Sequence, residues 1–497
     1  MNKPMRRVAV FCGLLILALL VRVNWVQFVQ ADELANHEDN RRVRIEQFAH
    51  PRGDIIVDGE PITGSVETEG SDFRYARTYT DGPMWAPVTG FASQAFGSNL
   101  LENVEDDVLS GTDDRLFFNN TIDMFTGEDQ RGGNVVTTLN AAAQEAAYNG
   151  LLEAGQGDDT AKGAVVAIDP RTGAILAAAS TPSYDPSSFA GNGESDSEAW
   201  TALDKENDPD DPMLNRALRA TYPPGSTFKI VTAAAALENG RVDDIDESSQ
   251  TEYDNPFQLP DSTTEISSQA GAACDEPSMR EALVLSCNST FLGLSHDVGN
   301  EEMISTAEDF GFNEEQFLPV RAEASVYPED DDPGNAMAGI GQASNRATPL
   351  QMAMVAAAVA NNGTLMEPYM VDELVAPNLS TIERHEPQEL SQPLSPENAQ
   401  LLQEAMESVV SEGSSRDAAS IDGVRVGGKT GTAQNGEGNA NNPFAWFISY
   451  AITDDGSPVA VAVVVEDAGA ERDQISGSDL AAPIAGDVMR AVLDGEN

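Results

Sequence analysis

The chain has 497 residues, too many for one ordinary domain, and its 82 acidic against 28 basic residues give a formal net charge of −54. A surface that acidic repels phosphate backbones and argues against a nucleic-acid binder. Three cysteines without a Cys-x-x-Cys pair and four scattered histidines argue against a zinc site, so no metal is expected.

Lysine is scarce. Only Lys3, Lys162, Lys205, Lys229 and Lys429 occur, and arginine supplies the other basic residues. Acidic excess with few lysines fits a protein kept soluble in high salt, where screening removes self-repulsion, and equally fits an acidic exported protein. In such a chain Lys229 and Lys429 stand out.

The N-terminus carries Lys3, Arg6 and Arg7, then an uninterrupted apolar run over 8–21, which continues past Arg22 through Val23, Trp25, Val26, Phe28 and Val29. Asp32 and Glu33 come next. Positive charge before the run holds the N-terminus in the cytoplasm and sends the remainder outside. A passable cleavage site, Val29-Gln30-Ala31, lies far from the apolar core. Residues 1–30 therefore read as a cytoplasmic tail and uncleaved signal anchor, a single pass through the cell membrane with the rest of the chain extracytoplasmic.

Residues 31–160 read as a mixed α+β pedestal without a catalytic constellation. A short strand and tight turn are predicted over 52–59, and Pro-, Gly- and Asp-rich connections at 81–83 and 129–133. A strand over 135–139 leads to Asn140, the cap of a helix. From residue 163 the pattern changes. Apolar strands at 164–168 and 174–179 flank Asp169-Pro170-Arg171-Thr172-Gly173, a hairpin signal. Helical patterns run from Ser226 to near Ala360, with acidic loops such as 329–332 that read as solvated. Strands return at 424–432, 445–452 and 458–466, and a helix over 480–493 ends the pattern. This order predicts an α/β (α+β) fold over 161–497, one five-stranded antiparallel sheet with helices on its faces.

Three short stretches carry chemistry. In Tyr222-Pro223-Pro224-Gly225-Ser226-Thr227-Phe228-Lys229 the prolines and glycine break any preceding element, and an Ala-rich run comes after. Ser226 is thereby expected in the first turn of a helix with Lys229 one turn on, beside unpaired backbone N–H groups. Alone, Ser-x-x-Lys is weak, since a capping serine and a solvated lysine look the same. Ser286-Cys287-Asn288 puts a hydroxyl and an amide two residues apart between helical segments. Lys429-Thr430-Gly431-Thr432 opens a strand with glycines before it, which allow close approach of a ligand. All three in this order form a strong signal.

Together these motifs resemble the penicillin-binding proteins and serine β-lactamases. The likeness extends to Ser183-Tyr184-Asp185-Pro186-Ser187, Gly341-Gln342 and Thr348-Pro349-Leu350-Gln351-Met352-Ala353, which resemble a penicillin-binding transpeptidase domain. Asn40-Arg41-Arg42 and Arg52-Gly53-Asp54-Ile55 resemble the pedestal of class B members, with the nearest likeness to the penicillin-binding protein A branch. Cys287 departs from the acidic residue common at that position among β-lactamases.

The resemblance implies a membrane-anchored serine D,D-transpeptidase. Ser226 would attack the carbonyl of a D-Ala-D-Ala stem peptide, and an amine from a neighbouring strand would take the acyl group. Lys229 would act as base, its pKa lowered by burial beside Lys429. Ser286 would relay a proton and Asn288 would hold the substrate amide. Lys429, Thr430, Gly431 and Thr432 would bind the terminal carboxylate. It also implies covalent inhibition by β-lactams, no organic cofactor, no glycosyltransferase domain, and partners among SEDS-family glycosyltransferases and divisome or elongation membrane proteins. Alternatives are a D,D-carboxypeptidase or β-lactamase of the same fold, or a non-catalytic penicillin sensor or divisome scaffold. Cys274 and Cys287, both outside the membrane, are candidates for a disulfide pinning the Ser286 loop, with two buried thiols as the alternative.

Overall fold

The computed structural model describes residues 3–30, 34, 41–68, 72–116, 130–156, 160–203, 205, 208, 210–436 and 439–495. Ala31, Asp32, Glu33, Asn40 and Asp129 lie outside the described residues. Lys3–Phe28 is one continuous helix of 26 residues with no buried side chain, and it is long and apolar enough to cross a membrane. At 1.5 Å per residue it spans about 39 Å, more than a hydrocarbon core of about 30 Å requires.

The pedestal is built on a small mixed sheet of five strands, in the order Thr381–Arg384, Val371–Val375, Asn134–Thr137, Ile55–Val57, Glu60–Pro61. Ile55–Val57 and Asn134–Thr137 run parallel and the other pairs are antiparallel. The strand expected over 135–139 starts and ends earlier. Asn140 then caps the helix Ala141–Ala154 as expected, its side-chain oxygen accepting from Ala143 N at 2.8 Å. Two of the five strands come from residues 371–384, far along the chain, so one sheet draws on both sides of residue 160.

Arg52 and Arg77 close on a single buried carboxylate in the pedestal. Arg52 Nη2 donates to Glu102 Oε2 at 3.0 Å, and Arg77 Nε to Glu102 Oε1 at 2.5 Å. Arg52 Nη1 also reaches Asp106 Oδ1 at 2.7 Å. Each oxygen of Glu102 thus faces a cation, the condition under which a buried charge is tolerated.

The large sheet is the expected five-stranded antiparallel one, in the order Arg425–Asn435, Asn441–Thr453, Gly456–Asp467, Lys162–Ile168, Ile175–Thr181. Its side chains alternate between two buried faces. Val166, Ala178, Ile448, Ala462 and Val464 point into the core around the wholly buried helix Pro349–Ala360. Val165, Ala177, Phe447, Val461 and Val463 point the other way, under Ala141–Ala154 and Ala482–Gly495. Burial on both faces explains why these strands read as unbroken apolar runs rather than as alternating ones.

Candidate active site

Arg425–Asn435 is an edge strand of the large sheet. Beside it lies a cleft of about 510 Å³ whose lining includes Ser226, Ser286, Asn288, Thr430, Gly431 and Thr432. The sequence-predicted residues therefore converge.

Ser226 sits in a 3₁₀ turn, Gly225–Phe228, and the α-helix Lys229–Glu238 begins after it. The expected first helical turn is thus a tighter one, set by its glycine. Gly225 has φ 55° and its N–H donates to Gly341 O at 3.0 Å. A Cβ on Gly341 (φ 71°) would stand 2.2 Å from Gly225 O, so neither position accepts a side chain. The turn is further fixed by Thr227 Oγ1 donating to Pro224 O at 2.7 Å and Trp446 Nε1 to Pro223 O at 3.0 Å.

Ser286 lies between the helices Met279–Val284 and Asn288–Val298 at φ 55°, a conformation unusual for a residue with a side chain. Its neighbour Cys287 is bonded to Cys274, with Cα atoms 5.6 Å apart. Both cysteines are buried, and the bridge holds the Ser286 loop against the turn Gly271–Cys274.

Lys229 and Lys429 are fully buried, and both reach the Ser286 hydroxyl. Lys229 Nζ donates to Ser286 O at 2.8 Å, Asn288 Oδ1 at 2.8 Å and Ser286 Oγ at 3.2 Å. Lys429 Nζ donates to Ser286 Oγ at 3.1 Å and Thr430 O at 3.1 Å. No carboxylate is among these partners. Burial pushes the Lys429 ammonium down to about 7. Lys229 is lowered well below the usual lysine range, first by burial and second by the charge of Lys429.

The two partners of Lys229 at 2.8 Å are carbonyl oxygens, which only accept. A neutral amine satisfies them with its two hydrogens and keeps its lone pair for a hydroxyl proton. The arrangement can therefore hold a base, pass a proton through Ser286, and present Ser226 to a substrate along an open strand edge.

Sequence reasoning missed Arg472, Gln434 and Asn439, which also line the cleft. Arg472 donates through Nη1 to Asn441 O at 2.8 Å and Nη2 to Asn439 O at 2.9 Å, tying its loop to the neighbouring hairpin. An arginine in Glu471-Arg472-Asp473 reads as solvated charge, and no local signal marks it otherwise.

Ser226, two buried lysines and the edge strand thus surround one cleft, and the class follows from likeness: the chain belongs to the penicillin-binding proteins. The penicillin binding protein transpeptidase domain matches residues 163–490, and the penicillin binding protein A dimerisation domain matches 52–135. The chain is 40% identical to the peptidoglycan D,D-transpeptidase PbpA of Mycolicibacterium smegmatis over 99% of each chain. It is also 40% identical to PbpA of Mycobacterium tuberculosis over 100% of each. The ceftriaxone acyl-enzyme of penicillin-binding protein A from M. tuberculosis has the same fold, with TM-score 0.83 and 38% identity over 90% of this chain and 100% of that one. The likeness to the penicillin-binding protein A branch is borne out.

Proposed function

We propose that this chain is a membrane-anchored serine D,D-transpeptidase that cross-links peptidoglycan stem peptides through an acyl-enzyme on Ser226, and that β-lactams acylate the same serine. The observation that carries the reading is one hydroxyl, Ser286 Oγ, within 3.2 Å of the amines of both Lys229 and Lys429, in the cleft lined by Ser226.

In the first half-reaction neutral Lys229 takes the Ser226 proton as the oxygen attacks the penultimate carbonyl of a D-Ala-D-Ala donor. The proton passes through Ser286 to the leaving amine, D-Ala departs, and the acyl group stays on Ser226. An acceptor amine then attacks the ester, its proton returns by the same path, and Ser226 is restored. Asn288 Oδ1 accepts from Lys229, which leaves its amide hydrogens to hold the substrate amide. Lys429 supplies positive field to the terminal carboxylate bound by Thr430 and Thr432, with Gly431 between them. The backbone N–H groups of Ser226 and Thr432 serve as the oxyanion hole, worth about 3–4 kcal/mol per donor.

The division into an anchor over 1–30, a pedestal or dimerisation-like part over 31–160 and a transpeptidase part over 161–497 assigns these roles along the chain. Lys3, Arg6 and Arg7 before the membrane helix support a cytoplasmic N-terminus and an extracytoplasmic cleft. A transpeptidase without its own glycosyltransferase domain works beside a separate polymerase, which supports a SEDS-family partner and divisome or elongation proteins around it.

The test is labelling with a fluorescent penicillin. Covalent label on the wild type that is lost in Ser226→Ala is expected; label unchanged by that substitution would sink the assignment. Product analysis with a stem-peptide donor and a saturating D-amino-acid acceptor should give the exchanged peptide, and hydrolysed product alone would make the enzyme a carboxypeptidase.

A further inference from the structure

The catalytic cleft does not end at the hairpin after Thr432. Met337, Gln342, Gln434 and Asn439 line both it and a second recess of about 880 Å³, so the two are one continuous groove. Acidic residues make up 82 of the 497 in this chain, so a lining of this size drawn at random would hold several. Among the described residues of the groove there are none. Among the described residues, the one charged side chain lining the second recess is Arg346.

Arg346 is held as a fixed post. Its backbone pairs with Val326 in both directions, N to O at 2.9 Å and O from N at 2.7 Å. Its Nη1 donates to Ala343 O at 2.9 Å and Asn345 O at 2.8 Å. No carboxylate pairs with it among the described residues, although most arginines outside the membrane helix have one. Nη1 is occupied, while Nε and Nη2 have no partner among the described residues. That edge of a guanidinium is the one that grips a carboxylate with two parallel bonds.

We propose that the Arg346 recess is a subsite for a carboxylate carried by the donor peptide upstream of its terminal D-Ala-D-Ala. The inference rests on the proposed acylation of Ser226. A donor laid along the edge strand with its terminal carboxylate at Lys429 to Thr432 extends past Gln434 and Asn435, at about 3.3 Å per residue, into this recess. The amides of Gln342, Gln434, Asn435 and Asn439 hold peptide groups on the way. The fixed guanidinium then selects for negative charge, in a molecule whose remaining surface repels it.

The experiment uses the full-length chain in detergent and matched donor peptides ending in D-Ala-D-Ala. Each carries one acidic residue one, two or three positions upstream, or the same residue as its carboxamide. The readout is the ratio of kcat/KM for acid over carboxamide in transfer to a D-amino acid. The wild type should favour the acid by about tenfold or more at one position. Arg346→Gln should bring that ratio close to one, Arg346→Lys should keep part of it, and added salt should lower it in the wild type and in Arg346→Lys but not in Arg346→Gln. A fold defect scales both rates together and leaves the ratio intact, so a ratio that survives in Arg346→Gln overturns the subsite. A wild type with no preference at any position overturns it as well. Failure of penicillin to label Ser226 is a different result and overturns the catalytic reading instead.

Discussion

Arg52 and Arg77 in the pedestal and Lys229 and Lys429 behind the cleft are all buried, but the arginines share a carboxylate whereas the lysines share a hydroxyl. At Arg52 burial pulls the pKa down, Glu102 and Asp106 push it further the other way, and the net shift is upward. At Lys229 burial and Lys429 act in the same direction, and at Lys429 burial acts alone. A buried cation with a counter-ion is locked in one protonation state and serves structure. One without a counter-ion is poised to lose its proton and serves chemistry.

The sharpest way to break the contrast is to exchange the two kinds of cation. Lys229→Arg puts a group that does not deprotonate in the place of the proposed base, and penicillin acylation of Ser226 should fall by about 10²–10⁴-fold in stopped-flow measurements. In the wild type the acylation rate should fall as pH is lowered, because protonated Lys229 no longer accepts the serine proton. A flat profile would move the base elsewhere.

The converse change is Glu102→Gln, which strips the pedestal arginines of their counter-ion. It should cost about 3–5 kcal/mol in chemical denaturation and leave acylation per folded molecule unchanged. Cys274→Ser, which releases the Ser286 loop, should cost about 2–3 kcal/mol and slow acylation less than Lys229→Arg does.

One further effect should have the opposite sign. The folded protein binds fewer protons at Lys429 than the unfolded chain, since its pKa falls from 10.5 to about 7. The cost is full below pH 7 and is relieved as pH rises toward the ordinary lysine value. Lys429→Met should therefore raise the Tm at pH 6, the gain should fade between about pH 7 and 10, and the donor carboxylate should bind less well. A Tm that falls at pH 6 would contradict an unpaired buried charge.

The large sheet was legible because burial on both faces wrote its strands as continuous apolar runs, such as Val459 to Val465. The candidate catalytic groups were legible because each sits in a short motif with its own local geometry. The hairpin over 371–384 was not. Its strands are short, carry Asp372, Glu373, Glu383 and Arg384, and owe their existence to pairing with a segment far back in the chain. Arg346 and Arg472 were missed for a related reason: what marks them is that no carboxylate pairs with them among the described residues, and sequence neighbours such as Glu471 and Asp473 conceal it. The strand Asn441–Thr453 also begins earlier than the apolar pattern over 445–452, because its first residues are polar where they rise beside the cleft.

The small sheet shared across residue 160 bears on how a soluble enzyme can be prepared. Cutting there would strip Asn134–Thr137 from Val371–Val375, leaving an open strand edge ready to pair with another molecule. It would also remove Ala141–Ala154 and uncover the apolar face formed by Val165, Val461 and Val463. Such a fragment would aggregate, whereas a form that drops only the helix Lys3–Phe28 keeps both surfaces closed.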